Sequence, residues 1–149
     1  MASNELIDKT KKCLANTFVM YMKTHGYHWN VIGSDFPQYH DFFGNIYVEL
    51  QAAIDNIAEQ IRSINGFPQG TIARMIQLSD VNEDEKIPPA DKMIANLIAA
   101  NIVVSKCIGE AYEIAENEKE YALCNFLQDR LTAHSKHQWM LLASTGRIK

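Results

Sequence analysis

Apolar residues recur every three or four positions along four long stretches of this chain, and no segment alternates convincingly with the period of a strand. That pattern predicts an all-α fold. Leu14, Phe18, Tyr21, His25 and His28 mark a first helix from about Asn4 to about His28. Gly33, Asp35 and Pro37 then read as a loop, with Pro37 suited to the first turn of the next helix. Phe42 or Phe43, Ile46, Leu50, Ile54, Ile57, Ile61 and Ile64 carry that second helix to a stop at Asn65-Gly66. Its apolar residues lie on more than one side, so it is expected to pack on two neighbours, one of them another subunit. A third helix runs from about Ala90 to about Asn117 and a fourth from about Glu120 to Ser144, the last with Leu123, Leu127, Leu131, His134 and Leu141 on one face.

Between the second and third helices the chain is punctuated by Gly66, Pro68, Gly70, Pro88 and Pro89, with a short helical segment over Thr71 to Leu78. A connection this long fits a crossover along a four-helix bundle better than a tight hairpin. The length of 149 residues predicts one domain. Hydrophobic residues at 47% and charged residues at 21% exclude a disordered chain. The formal net charge of −4 gives no reason to expect a polyanion as main partner. By reading of the sequence, no apolar run approaches the roughly 20 residues of a membrane span, so no membrane partner is expected. The start MASNELIDKTKKCL has no apolar core of a secretory signal, which makes the cytoplasm the expected compartment. Cys13, Cys107 and Cys124 are widely spaced and read as reduced thiols, not as a disulfide frame or zinc site.

His28, His40, Asp55 and Glu59 are the residues most able to carry chemistry. Asp55 and Glu59 stand four apart, so both carboxylates project from one face of the second helix. Among Ile54, Ile57, Ala58 and Ile61 they are costly unless paired or metal-bound; a solvated stripe on an amphipathic helix is the plainer alternative. His28 closes the first helix and His40 opens the second, so an antiparallel hairpin puts both imidazoles at one end of the bundle. His40 and Asp55 are 15 residues apart on one helix, or about 22 Å. Metal–ligand bonds are about 2 Å long, so these groups cannot share an ion within one chain. Two copies of the second helix, paired antiparallel about a two-fold axis near Tyr47 to Leu50, would bring His40 of one beside Asp55 and Glu59 of the other, twice.

His28-Trp29-Asn30-Val31, followed by Gly33, Phe36 and His40 and then Asp55-x-x-Ala58-Glu59-x-Ile61, resembles the signature of the Dps family of ferritin-like mini-cages, named as DNA-binding proteins from starved cells. The gaps of 12, 15 and 4 residues between the four candidate ligands match that family's spacing, and the resemblance extends to the short crossover helix and to His137-x-Trp139-Met140. It implies a ferritin-like four-helix bundle, and a site in which His28 and His40 come from one subunit and Asp55 and Glu59 from its two-fold partner. Gln60 departs from the family pattern, which usually has Arg after the Glu, and removes a charge beside the site. Ferritins proper would instead place Glu-x-x-His pairs inside one bundle, and no Glu here is followed by His three residues later.

Imidazoles and carboxylates with open coordination positions suit Fe(II). The resemblance implies a ferroxidase that couples Fe(II) oxidation to hydrogen peroxide reduction, stores Fe(III) mineral inside a homododecamer built from two-fold dimers, and so protects against oxidative stress. Trp29 is expected to pack in the core, with electron donation to the site as the alternative. Glu116, Glu118, Glu120 and Asp129 are available to line an acidic iron-entry pore, or the first three form an exposed acidic turn; Tyr121 and Asn125 stand where further acids would be wanted. His25 is a candidate for contacts around the iron site, while His134 and His137 read as structural or solvated. Tight DNA binding is not expected. Lys9, Lys11 and Lys12 read as a face of the first helix, the C-terminus adds Arg147 and Lys149, and twelve copies would carry about −48 formal charges. The competing reading is a DNA-coating protein with incidental iron chemistry.

Overall fold

In the computed structural model, residues 1–146 are described, and they form five helices: α1 (Asn4–Asn30), α2 (Phe36–Ser63), α3 (Ile72–Leu78), α4 (Ala90–Asn117) and α5 (Tyr121–Ser144). No strand occurs among the described residues, so the expected all-α four-helix bundle with one extra helix in its crossover is what the chain forms. Arg147 and Lys149 lie outside the described residues.

Local chemistry sets the helix ends. The Ser3 hydroxyl accepts from the Leu6 N–H at 3.1 Å and caps α1, and the Thr71 hydroxyl does the same for α3 through Arg74 N–H. Asn65 takes a left-handed conformation (φ 68°) after α2, which lets Gly66 N–H reach the Ile61 carbonyl at 2.9 Å and Asn65 N–H reach Arg62 at 3.0 Å. A side chain on residue 66 would lie 2.7 Å from Ile7, so glycine alone fits this stop. Lys119 (φ 62°) ends α4 with the same pair of bonds.

The helix α1 is the centre of the bundle, packed on both α2 and α4, while α5 lies mainly against α4. Ser3 at the start of α1 bonds Glu118 at the end of α4, and Tyr27 near the end of α1 bonds Asn96 near the start of α4, so α1 and α4 run antiparallel. The main core contains Leu6, Met20, Phe43, Leu50, Leu97 and Ile108, and a second cluster, Leu14, Ala53, Ile57 and Ile61, receives Met75 of α3. Thr10, Thr17 and Thr24 are also buried on α1; each hydroxyl donates to the carbonyl four residues earlier, at 2.7–2.8 Å, and so needs no other partner. The crossover is fastened to α1 by Asn16, whose Oδ1 accepts from Asp80 N–H at 2.7 Å, and by the pairs Lys12–Asp80 at 2.9 Å and Lys23–Asp84 at 3.0 Å.

Contrary to the expectation of no apolar run of membrane-spanning length, α4 is by length and composition apolar enough to cross a membrane. Its apolar residues serve the bundle: Met93, Ile94, Leu97, Val104 and Ile108 are core side chains, and Asn101 on the same helix is buried and hydrogen-bonded to α5.

Candidate metal centre

The α1–α2 turn brings His28 and His40 together. Gly33 (φ 127°) permits the reversal, buried Val31 anchors it, and Phe36 N–H bonds the Gly33 carbonyl at 3.2 Å. The two imidazoles stack with centroids 3.7 Å apart and 16° between planes. His28 Nδ1 lies 2.6 Å from the His40 carbonyl oxygen and His40 Nδ1 lies 2.7 Å from the His28 carbonyl oxygen. A carbonyl only accepts, so both Nδ1 atoms carry the proton, and the lone pair of each ring sits on Nε2. This is the arrangement a metal-binding histidine needs, its tautomer fixed from behind by the backbone. Gly44 makes room for it: a Cβ there would stand 3.2 Å from the His28 ring.

An aromatic wall continues from the pair. Phe36 stacks on His40, Tyr47 stacks on His25 at 3.8 Å, and Tyr21 Oη is 3.0 Å from His25 Nδ1. Burial, then the nearby His28, pushes the His25 pKa down. The expected core role of Trp29 is overturned: the ring is 56% exposed and rests on His25 at 4.2 Å. One residue past His28, it lies on a different side of the last turn of α1 from the ring that meets His40.

Asp55 and Glu59 sit one turn apart on the exposed face of α2, in a stripe with exposed Val48 and Ala52. In the single chain neither is buried, so the burial cost foreseen for them does not arise there. Asp55 stands about 22 Å and Glu59 about 28 Å along α2 from His40, and among the described residues no three His, Cys, Asp or Glu side chains converge tightly enough to hold a metal. Arg62, the cation next to Gln60, is turned away: it donates to the Gly66 carbonyl at 2.8 Å and lies over Phe67.

The sequence also failed to single out Glu49. Arg130 makes a two-pronged ion pair with it, through Nη1 and Nη2, and His137 Nε2 lies 2.8 Å from Oε1. Arg130 Nη2 also donates to His134 Nε2 at 2.9 Å, so His134 Nδ1–H donates to Asn101 Oδ1 at 2.7 Å. Burial works against the Glu49 carboxylate, yet the His137 and Arg130 bonds outweigh it and hold Glu49 at about 2. Burial, followed by the Arg130 charge, drives His134 down to about 3, a neutral ring. His134 and His137 are thus structural groups locking α5 to α2 and α4. A charge at 49 between Ile46 and Leu50 was the one available sign.

The candidate pore residues have separate surroundings. Glu118 is engaged by Ser3 N–H at 2.7 Å and by its hydroxyl, contacts that lower its pKa. Glu116 accepts from Tyr112 at 3.2 Å, Glu120 precedes α5, and Asp129 is exposed on it.

A family model described as the Ferritin-like domain matches residues 7–149. The DNA protection during starvation protein of Brevibacillus brevis is 30% identical, over 87% of each chain. The chain belongs to the Dps family of ferritin-like proteins. Dps from Staphylococcus aureus superposes with a TM-score of 0.91 at 29% identity, covering 96% of both chains. Dps from Vibrio cholerae, described as a member of a broad superfamily of ferritin-like diiron-carboxylate proteins, gives 0.91 at 26% identity over 97% of this chain and 98% of that one.

Proposed function

We propose that this Dps-family protein is an iron-storing and protective ferroxidase whose sites form between subunits. Fe(II), the substrate, is held by Nε2 of His28 and His40 from one subunit and by the partner subunit's Asp55 and Glu59, and hydrogen peroxide is the oxidant. The observation that carries the reading is the reciprocal Nδ1-to-carbonyl pinning of His28 and His40, which leaves two Nε2 lone pairs that, among the described residues, find no carboxylate company in a metal-holding group. Antiparallel pairing of two α2 helices supplies that company. Exposed Val48 lies midway between His40 and the carboxylates, on their stripe, and gives such a contact an apolar centre.

Imidazole and carboxylate donors suit Fe(II) and leave coordination positions open. Two Fe(II) each give one electron to peroxide, the O–O bond breaks, both oxygens end at the oxidation level of water, and Fe(III) hydrolyses to stored oxide with release of protons. The protein's part is to hold the ion with fixed tautomers and to supply negative charge that favours Fe(III). Trp29, exposed and packed at a tilt against His25 beside His28, is the candidate donor for an unmatched oxidising equivalent. Assembly as a homododecamer encloses the mineral, and Glu120, Asp129 and Glu116, the last bonded only by Tyr112 on its own helix, are the acids to guide iron inward; Glu118 is less available because Ser3 holds it.

The test is stopped-flow Fe(II) oxidation by peroxide on Asp55→Ala/Glu59→Ala and on His28→Ala/His40→Ala proteins. Both are expected to lose the rapid phase with the cage intact by light scattering. A rapid phase retained in either would remove the proposed ligands.

A further inference from the structure

We propose that Cys13 and Cys107 form a peroxide-responsive dithiol, closing reversibly into an intrachain disulfide that ties α1 to α4. Their sulfur atoms lie 3.1 Å apart in the buried contact between these helices. That is inside ordinary sulfur–sulfur contact and about 1 Å longer than a disulfide bond of ~2.05 Å. Their separation of 94 positions in the chain gives no local sign of the pair.

The surroundings give the two thiols different parts. Cys13 is wholly buried, and burial followed by its contact with Cys107 pushes its pKa well up, so it keeps its proton. Cys107 goes the other way: the hydrogen bond from Cys13 lowers its pKa against the effect of burial, with help from the Lys9 ammonium and the Asn16 side chain, while Glu110 opposes. Asn16 is fully buried, its Oδ1 is taken by Ser79 and Asp80, and its Nδ2 has no acceptor of its own. A thiolate at Cys107 gives that amide something to bond. Two sulfurs at bonding approach and an unpartnered buried donor beside one of them are a site built for sulfur to change state.

Hydrogen peroxide is small enough to enter where larger oxidants are excluded. The Cys107 thiolate attacks one peroxide oxygen and the O–O bond breaks. Cys107 becomes a sulfenic acid, and the other oxygen leaves as hydroxide, which takes up the proton Cys107 had released. The Cys13 sulfur then attacks the sulfenic sulfur; the S–S bond forms and the sulfenic oxygen leaves as water with the Cys13 proton. In sum two thiols give two electrons to one peroxide and yield a disulfide and two waters. A small dithiol reverses it. No iron takes part, so the proposal stands or falls apart from the ferroxidase reading.

The experiment uses the intact, metal-stripped protein with a chelator present. After exposure to hydrogen peroxide, unfolding and alkylation, mass spectrometry is expected to find one free thiol of the three and a Cys13–Cys107 linked peptide, with all three thiols restored by dithiothreitol. The oxidised protein should melt several degrees higher than the reduced one. Cys124→Ala should keep the link, and Cys13→Ala should leave a Cys107 sulfenic acid that dimedone, present as the oxidised protein is unfolded, traps. Three thiols persisting under peroxide that oxidises exposed Met22, or a disulfide that uses Cys124, would overturn the proposal.

Discussion

Acid should weaken this fold through His134, and the size of the effect follows from its surroundings. The ring is fully buried, accepts from Arg130 and is held neutral with a pKa near 3, against 6.5 for an ordinary histidine. Between these values the unfolded chain binds a proton that the folded chain refuses, so stability falls as pH drops through the window from about 6.5 to about 3. A difference of about 3.5 units is worth roughly 4–5 kcal/mol when the window has been crossed, and about 2 kcal/mol of it is lost by pH 5. Glu49, held at about 2, adds a loss of the same sign below about pH 4.5, reduced by its partial exposure to solvent. At roughly 2–4 °C per kcal/mol for a chain of this length, the melting temperature should fall by about 4–8 °C between pH 7 and pH 5. Circular dichroism melts across this range measure it. His134→Gln keeps a neutral acceptor for Arg130 and a donor for Asn101 but cannot titrate, so its pH dependence should be flatter by that amount. Equal slopes for the two proteins would refute the reasoning.

Gly44→Ala should separate stability from iron chemistry: the added methyl crowds the His28 ring, so Fe(II) oxidation should slow several-fold, while the helix gains up to about 1 kcal/mol from the better helix former. Unchanged kinetics by stopped flow would show that the ring has room to spare. Plasmid and short duplex DNA should show no sub-micromolar binding at near-neutral pH and about 0.15 M salt with a chelator present. Lys9, Lys11 and Lys12 all belong to α1, and two of them face acids, at 3.6 Å for Lys9–Glu110 and 2.9 Å for Lys12–Asp80. Tight binding in a gel shift, lost on deleting the first twelve residues, would mean that this segment leaves the helix to act as an arm.

The sequence was a good guide wherever structure is local. Ser3, Asn65-Gly66 and Thr71 are caps and stops that act within a few residues, and they set helix ends close to those expected from periodicity. The distance from His40 to Asp55 along one helix was legible for the same reason, and the proposal of a second subunit rests on it. What escaped was tertiary. Glu49 meets Arg130 across 81 residues, and Cys13 meets Cys107 across 94, with nothing in the spacing to announce either pair. Trp29 reads as a core residue by type, but its side of the last turn of α1 is exposed in the chain. The burial of Thr10, Thr17 and Thr24 was not legible either, because the i−4 bonds that let them be buried belong to the folded helix itself.

The most direct test of the shared site is complementation. An Asp55→Ala/Glu59→Ala protein and a His28→Ala/His40→Ala protein, each inactive, are dissociated together, reassembled, and checked for hybrid dimers by native mass spectrometry. In a hybrid, one interface site has all four ligands and the other has none. The shared site therefore predicts that rapid peroxide-dependent Fe(II) oxidation returns in proportion to the hybrid fraction. Verified hybrids as inactive as either parent would contradict it.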